Sequence, residues 1–200
     1  ALAKKPDLVI LGGGDGTISG LVDELVGRDT ILGVLPLGTA NSFARTLGLP
    51  LDLAGAIEVI RTGAARRIDL GMIDGDYFAN CAAIGMSPQI AETVPHNLKK
   101  VLRRVGYLSW AAYQFAQFEP FTLIVDDGSG EKRIRVVEVR ISNGPYHGGT
   151  WLVDEASVSS GEIVVQAVTG HYKRGLLKNW AASFFGHQAR HHDTVAFSGK

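Results

Sequence analysis

LGGGDGTISG, residues 11–20, places four glycines within five positions, Gly12 to Gly16 with Asp15 among them, between an apolar run and an amphipathic one. The run before it, residues 7–11, is short, apolar and preceded by Pro6, the pattern of a fully buried strand. The stretch after it carries Ile18, Leu21, Val22, Leu25 and Val26 at the spacing of one helix face. A strand, a glycine loop and a helix therefore follow in order. Glycines at that junction let a ligand approach backbone N–H groups and the positive end of the helix dipole, and the usual ligand is phosphate. The stretch is not a Walker A loop, since no Gly-Lys-Ser/Thr closes it, and Thr17 and Ser19 break GxGxxG. Asp15 is the informative departure. A carboxylate beside a polyphosphate is repulsive unless a cation lies between them, so the loop points to a magnesium nucleotide. The alternative is a tight strand-to-helix turn with Asp15 as its N-cap.

Outward from the loop the pattern repeats. Residues 31–35 form a second apolar strand, leading through PLGTAN to a short helix at 42–47 that Gly48 and Pro50 stop. Asp52 can cap a further helix with Leu53, Ala56, Ile57 and Ile60 inward, ending near Gly63. Alternation of β and α predicts an α/β domain over residues 1–65: three layers, with helices covering a parallel sheet. Adjacent parallel strands present their loops on one carboxyl edge, so the two polar glycine loops face a common ligand.

After Arg66 the pattern changes. Ile68, Leu70 and Met72 alternate up to Asp74-Gly75, a hairpin signal, with 77–84 as the returning strand. Helices are expected at 97–118 and 173–185, and strands at 121–125, 134–141, 151–153, 163–168 and 194–197. Residues 66–200 thus read as a mainly-β domain. Both ends, a strand almost at once and a strand with no closing element, read as cut from a longer chain.

Lysine plus arginine total 20, as do aspartate plus glutamate, so no broad basic field exists and a nucleic-acid backbone is not expected as partner. One cysteine, Cys81, excludes an intrachain disulfide and suits a reducing cytoplasm; in its apolar setting it reads as a small buried hydrophobe. No stretch has the ~18 apolar residues of a membrane span. Membrane contact is expected to be peripheral.

GGDGT at 13–17, GVLPLGTANSFARTLGLP at 33–50, IDLGMIDGDYFANCAAIGMS at 68–87, LKKVLRRVGYLSWA from 98 and SNGPYHGGTW at 142–151 together resemble the diacylglycerol kinase catalytic-domain family, which includes bacterial lipid kinases and sphingosine kinases. GGDGT alone is shared with NAD kinases and phosphofructokinases; the later segments carry the lipid-kinase resemblance. It implies an α/β nucleotide domain followed by a β-sandwich lipid domain, with ATP and Mg²⁺ as cofactors and transfer of the γ-phosphoryl to a hydroxyl of diacylglycerol or a related lipid. Such transfer rests on positioning and charge neutralisation. The resemblance places the nucleotide on Gly13, Gly14, Asp15, Gly16, Thr17 and Thr39. It joins Asp15 to Asp69 in an acidic, magnesium-linked catalytic network, and its implied base is a glutamate beyond Lys200. Removing Asp15 is expected to abolish transfer with the fold intact. The implied partners are a lipid substrate and the inner face of the cytoplasmic membrane, with a homodimer allowed. Two departures bear on the ion: Ser42 and Ser160 stand where the family often has aspartate, and a hydroxyl at 160 is not the anionic ligand a hard cation prefers.

Other residues invite readings of their own. His187 and His191 have i, i+4 spacing and could meet a metal, but with little to complete a ligand set they read as a solvated helix end. Lys99, Lys100, Arg103 and Arg104 form a basic face, open to anionic headgroups or simply solvated. DDGSGE at 126–131 reads as a hairpin turn, and His147 receives no catalytic role. An NAD kinase would show an Asn-Glu pair and a Thr-Pro-Thr-Gly-Ser-type segment downstream, and neither occurs. A non-catalytic nucleotide- or lipid-binding module is the rival from another class.

Overall fold

A computed structural model of the chain describes residues 2–85, 117–126, 128, 130–169 and 194–200. The helix expected at 173–185, nearly all of that at 97–118, the basic face and the histidine cluster lie outside the described residues. By compactness the chain divides into one unit of residues 1–82, 142–164 and 198–200 and another of 83–141 and 165–197. The division expected near residue 66 followed the change in residue pattern. Compactness instead keeps the hairpin after Arg66, and the segment containing NGPYHGG, with the glycine loops. The physical tie is Asn143, whose Nδ2 donates to the carbonyls of Asp69 and Ala79, both at 2.8 Å, while its own N–H reaches the Asn80 carbonyl at 2.8 Å.

In the first unit, β1 (Leu8–Gly13) and β2 (Ile31–Pro36) pair in parallel, in register from Leu8 opposite Ile31 to Gly13 opposite Pro36. Alternation along the strands sends Leu11, Leu32 and Val34 to one face. There they pack with Ile18 and Val22 of α1 (Asp15–Val22) and with Phe43 and Ala44 of α2 (Ser42–Thr46). On the opposite face lies α3 (Leu53–Thr62), whose Ile60 sits so close to Gly33 that a Cβ there would meet its Cγ1 at 3.2 Å. Helices on both faces of a parallel pair make the three layers that alternating β and α predict. As expected, Asp52 caps α3, accepting from the Gly55 N–H at 2.8 Å. The first helix is shorter than its periodicity: Leu25 and Val26 fall in a run of turns reaching Gly27, at φ +72°.

The hairpin after Arg66 forms from β3 (Gly71–Ile73) and β4 (Asp76–Phe78), with Asp74 at φ +53° and Gly75 at φ +96°. Two consecutive left-handed residues are what a two-residue hairpin turn with the right twist requires. The returning strand is not continuous from 77 to 84. It breaks at Ala79 and Asn80, whose groups bond elsewhere, and resumes as β5 (Cys81–Gly85) in a different sheet. Later in the chain β8 (Tyr146–His147) and β9 (Thr150–Trp151) form a short hairpin around Gly148 and Gly149.

The second unit contains a five-stranded sheet in which β11 (Thr194–Gly199), β10 (Ile163–Thr169), β7 (Glu131–Ser142) and β5 lie in that order, with β6 (Phe121–Asp126) also paired to β7. The strands β6 and β7 are antiparallel and end at Asp126 opposite Glu131, which confirms the hairpin at 126–131. With β10 and β11 they pack Val136, Val139 and Ala167 at the centre, against Phe121, Leu123 and Phe197. Within β7, Glu138 is buried and takes the Arg140 Nε at 2.7 Å, the partner that makes a buried carboxylate tolerable. One sheet, rather than the two of a sandwich, is what the described residues of this unit contain.

Candidate functional site

The glycine loops after β1 and β2 touch each other. A Cβ on Gly38 would lie 2.4 Å from the Gly14 Cα, and one on Gly14 would lie 3.0 Å from the Gly38 Cα. The atoms in the way are backbone, so neither position has room for a side chain. What comes close to the first loop is the second. Gly13 is constrained differently, because a Cβ there would strike the Thr17 side chain at 2.6 Å. Gly16 meets nothing within 4 Å. It lies in the first turn of α1 and its surface is open; the amides of Asp15 and Gly16 have no partner within the helix, while the Thr17 N–H donates to the Gly14 carbonyl at 3.0 Å. Thr17 is exposed in that same turn, and Thr39 is exposed in the second loop.

Asn41 shapes the second loop. Its backbone is left-handed (φ +49°), a conformation Asn tolerates, and its side chain folds back to accept from the Gly38 N–H at 2.8 Å and to donate to the Gly38 carbonyl at 2.8 Å. That turn aims the first amides of α2 at Asp15. The Asp15 carboxylate accepts from the Ser42 N–H at 3.0 Å and from the Phe43 N–H at 2.9 Å. Asp15 therefore does cap a helix, but α2 rather than its own: the N-cap of α1 is Gly14, with no side-chain cap. Ser42 carries the connection on, its hydroxyl accepting from the Gly149 N–H at 2.9 Å in the β8–β9 hairpin.

Asp69 sits apart from this group. Its carboxylate accepts from the Gly161 N–H at 2.7 Å and its own N–H donates to the Val158 carbonyl at 2.7 Å. The neighbouring Ser160 closes its turn locally, donating to the Ser157 carbonyl at 2.9 Å. Among the described residues, no three His, Cys, Asp or Glu side chains gather where they could hold a metal. Asp15 and Asp69 are engaged with different backbone amides, and no contact joins them into the acidic pair the resemblance implies.

A cavity of roughly 170 Å³ lies beside the loops, lined by Asp15, Ile18, Ser42, Phe43, Asn80 and Cys81 among others, with His147 and Gly148. A larger hollow of roughly 390 Å³ is bounded by residues 5–7 and 27–30, at the amino ends of β1 and β2. Ligands of parallel sheets bind at the carboxyl ends, which selects the smaller one. Asn80 organises its wall: Nδ2 donates to the Tyr146 carbonyl at 2.6 Å, and Oδ1 accepts from the Thr46 hydroxyl at 2.7 Å. Cys81 is only half-buried, and its Sγ lies 3.2 Å from Nδ1 of His147. The reading of Cys81 as a simple buried hydrophobe is thereby corrected, since a hydrophobe needs no imidazole partner. Asn80, Asn143 and the Cys81–His147 pair are what sequence reasoning missed. Their partners are distant in the chain, and no local spacing signals them.

Residues 1–73 match the diacylglycerol kinase catalytic domain. The diacylglycerol kinase of Bacillus subtilis (strain 168) is 42% identical over 110 residues, 54% of this chain and 36% of the relative. A Klebsiella pneumoniae (strain 342) protein named "Probable lipid kinase YegS-like" is 34% identical over 174 residues, 85% of this chain and 59% of the relative. A solved diacylglycerol kinase structure from Bacillus anthracis str. Sterne shares the fold, with a TM-score of 0.72 at 24% identity over 100% of this chain and 66% of that one. The match over residues 1–73 and the lipid-kinase relatives support the diacylglycerol kinase catalytic-domain family for this chain. It spans from about a third to three-fifths of the length of these two curated relatives.

Proposed function

We propose that the protein to which this chain belongs is an ATP- and Mg²⁺-dependent lipid kinase that moves the γ-phosphoryl group of ATP to a hydroxyl of diacylglycerol or a related lipid. The observation carrying this reading is the pair of glycine loops in backbone contact at the carboxyl edge of a parallel sheet, with Gly16 and the first turn of α1 open beside a cavity. Phosphate oxygens accept from such amides and gain from the helix dipole. Gly13, Gly14, Gly16, Thr17 and Thr39 form the nucleotide side of the site.

The residues fit magnesium held largely by phosphate and water. Asp15 alone among the cavity's described lining residues is a carboxylate, and its two amide bonds leave further lone pairs on both oxygens. Mg²⁺ is often held by one or two carboxylates with phosphate and water supplying the rest, and Asp15 suits that role. The ion, when bound, neutralises phosphate charge. Asp15, held by the α2 amides, keeps its carboxylate in a fixed place; Asp69 steadies the 157–161 turn. In this reading Asp15 acts at the phosphates, and the role of Asp69 is to hold the 157–161 turn. The enzyme works at the cytoplasmic face of the membrane, on lipid, with no nucleic acid as partner; among the described residues no helix is long and apolar enough to cross a membrane.

Radiolabelled ATP incubated with the complete gene product and extracted lipid tests the reading. Label in the lipid phase, lost in Asp15→Asn, is expected. Nucleotide binding without any lipid label would instead mark a binding module.

A further inference from the structure

Cys81 opens β5 and His147 closes β8, yet their side chains meet, Sγ to Nδ1, at 3.2 Å. The meeting is held from both sides: Asn80 fixes the Tyr146 carbonyl, one residue before the imidazole, and Thr46 fixes Asn80 in turn. Both residues line the cavity beside Asp15, so the sulfur is open to a small reagent. Among the described residues, the charged groups on the surrounding elements include Asp15 on α1, which lines the same cavity; Arg45 on α2, whose Nε turns to the Ala40 carbonyl at 3.0 Å; and Asp76 on β4, which is exposed. A thiol in hydrogen-bond contact with an imidazole base is the arrangement that yields a thiolate near neutral pH.

We propose that Cys81 and His147 form a thiolate–imidazolium pair, and that the cavity is a modification site for low-molecular-weight disulfides. In the reaction the Cys81 thiolate attacks one sulfur of the small disulfide. A new S–S bond joins Cys81 to that half, and the old S–S bond breaks. The other half leaves as a thiolate and takes the imidazolium proton from His147. Cys81 is oxidised to the disulfide level and the reagent is reduced by the same two electrons, so no further oxidant is needed. The adduct occupies the space beside Asp15, and a second thiol exchange removes it. A metal is the less suitable occupant: the two side chains are not joined by a third ligand among the described residues.

The test is the pH profile of alkylation. The complete protein is treated with iodoacetamide between pH 8 and pH 6, and the Cys81 peptide is quantified by mass spectrometry. An ordinary thiol, with a pKa of ~8.5, loses thiolate and hence rate about 75-fold over that interval. The pair predicts a loss of less than about 3-fold in the wild type, and a return to the steep profile in His147→Gln. A steep wild-type profile overturns the proposal without reference to any variant, so a poorly folded His147→Gln leaves the test intact. Oxidised glutathione should add once at Cys81; failure to add, with iodoacetamide reacting normally, overturns the disulfide site. One consequence rests on the proposed nucleotide site: MgATP should slow both reactions. A flat profile with no protection by MgATP would keep the thiolate and displace the nucleotide from this cavity.

Discussion

Asp15→Ala is the perturbation whose effect the structure specifies most fully. The carboxylate holds the first two amides of α2, and the residues carrying them, Ser42 and Phe43, are 2% and 3% exposed, so water does not easily replace it. Loss of a helix cap typically costs ~0.5–2 kcal/mol, and leaving a second buried amide without a partner adds ~1–3 kcal/mol. A total of about 1.5–5 kcal/mol follows for the first unit. At ~2–4 °C per kcal/mol for a chain of this size, the melting temperature should fall by roughly 3–20 °C. Asp15→Asn, which keeps one acceptor oxygen, should lose about half as much. The expectation that Asp15 can be removed with the fold intact is revised accordingly: kinase assays of Asp15→Ala need the melting curve beside them. Thermal unfolding followed by circular dichroism, with amide exchange at Ser42 and Phe43, checks the calculation. A shift within ~1 °C in Asp15→Ala, with both amides still protected, would show that the carboxylate does not anchor α2 and would refute the reasoning.

Two glycines should separate folding from binding. Gly38→Ala drives a Cβ into the Gly14 backbone and should destabilise the chain by ~2 kcal/mol or more, read in a urea titration. Gly16→Ala meets open space and exchanges glycine for a better helix former, so stability should hold or rise by up to ~1 kcal/mol while ATP affinity, measured by calorimetry, falls. Unchanged ATP affinity in Gly16→Ala would place the phosphates elsewhere. Asn143→Ala removes a side chain that satisfies two carbonyls from a 1% exposed position, and should cost ~2–4 kcal/mol, again by urea titration. Phe43→Ala should cost ~3–5 kcal/mol by emptying the core between α2 and the β1–β2 sheet, as a melting curve would show.

Elements with local signals were legible in advance. The strand–glycine–helix order around residues 11–20, the Asp52 cap, the Asp74-Gly75 turn and the 126–131 hairpin each depend on neighbours in sequence, and each stands in the structure. The meeting of the two loops was legible too, because parallel strands share an edge. What could not be read was set by long-range bonds. Asp15 looks like a phosphate-site carboxylate, but its hydrogen-bond partners lie 27 and 28 residues away, and Asp69 answers to Gly161 rather than to Asp15. The break at Ala79 and Asn80 was hidden for the same reason: the alternation of 77–84 reads as one strand until Asn143 and Gly144 claim the Asn80 carbonyl. Cys81 and His147 carry no mutual signal across a separation of 66 residues.

In the proposed function, the open first turn of α1 serves the transfer of phosphate from ATP to lipid. The most direct measurement supplies the complete gene product with ATP labelled with heavy oxygen in its γ-phosphoryl group, together with a lipid extract, and identifies products by mass spectrometry. A phosphorylated lipid carrying the label, absent when Gly16→Ala has lost its ATP affinity, is expected. Labelled inorganic phosphate alone, or ATP left intact beside a folded protein, would contradict that function.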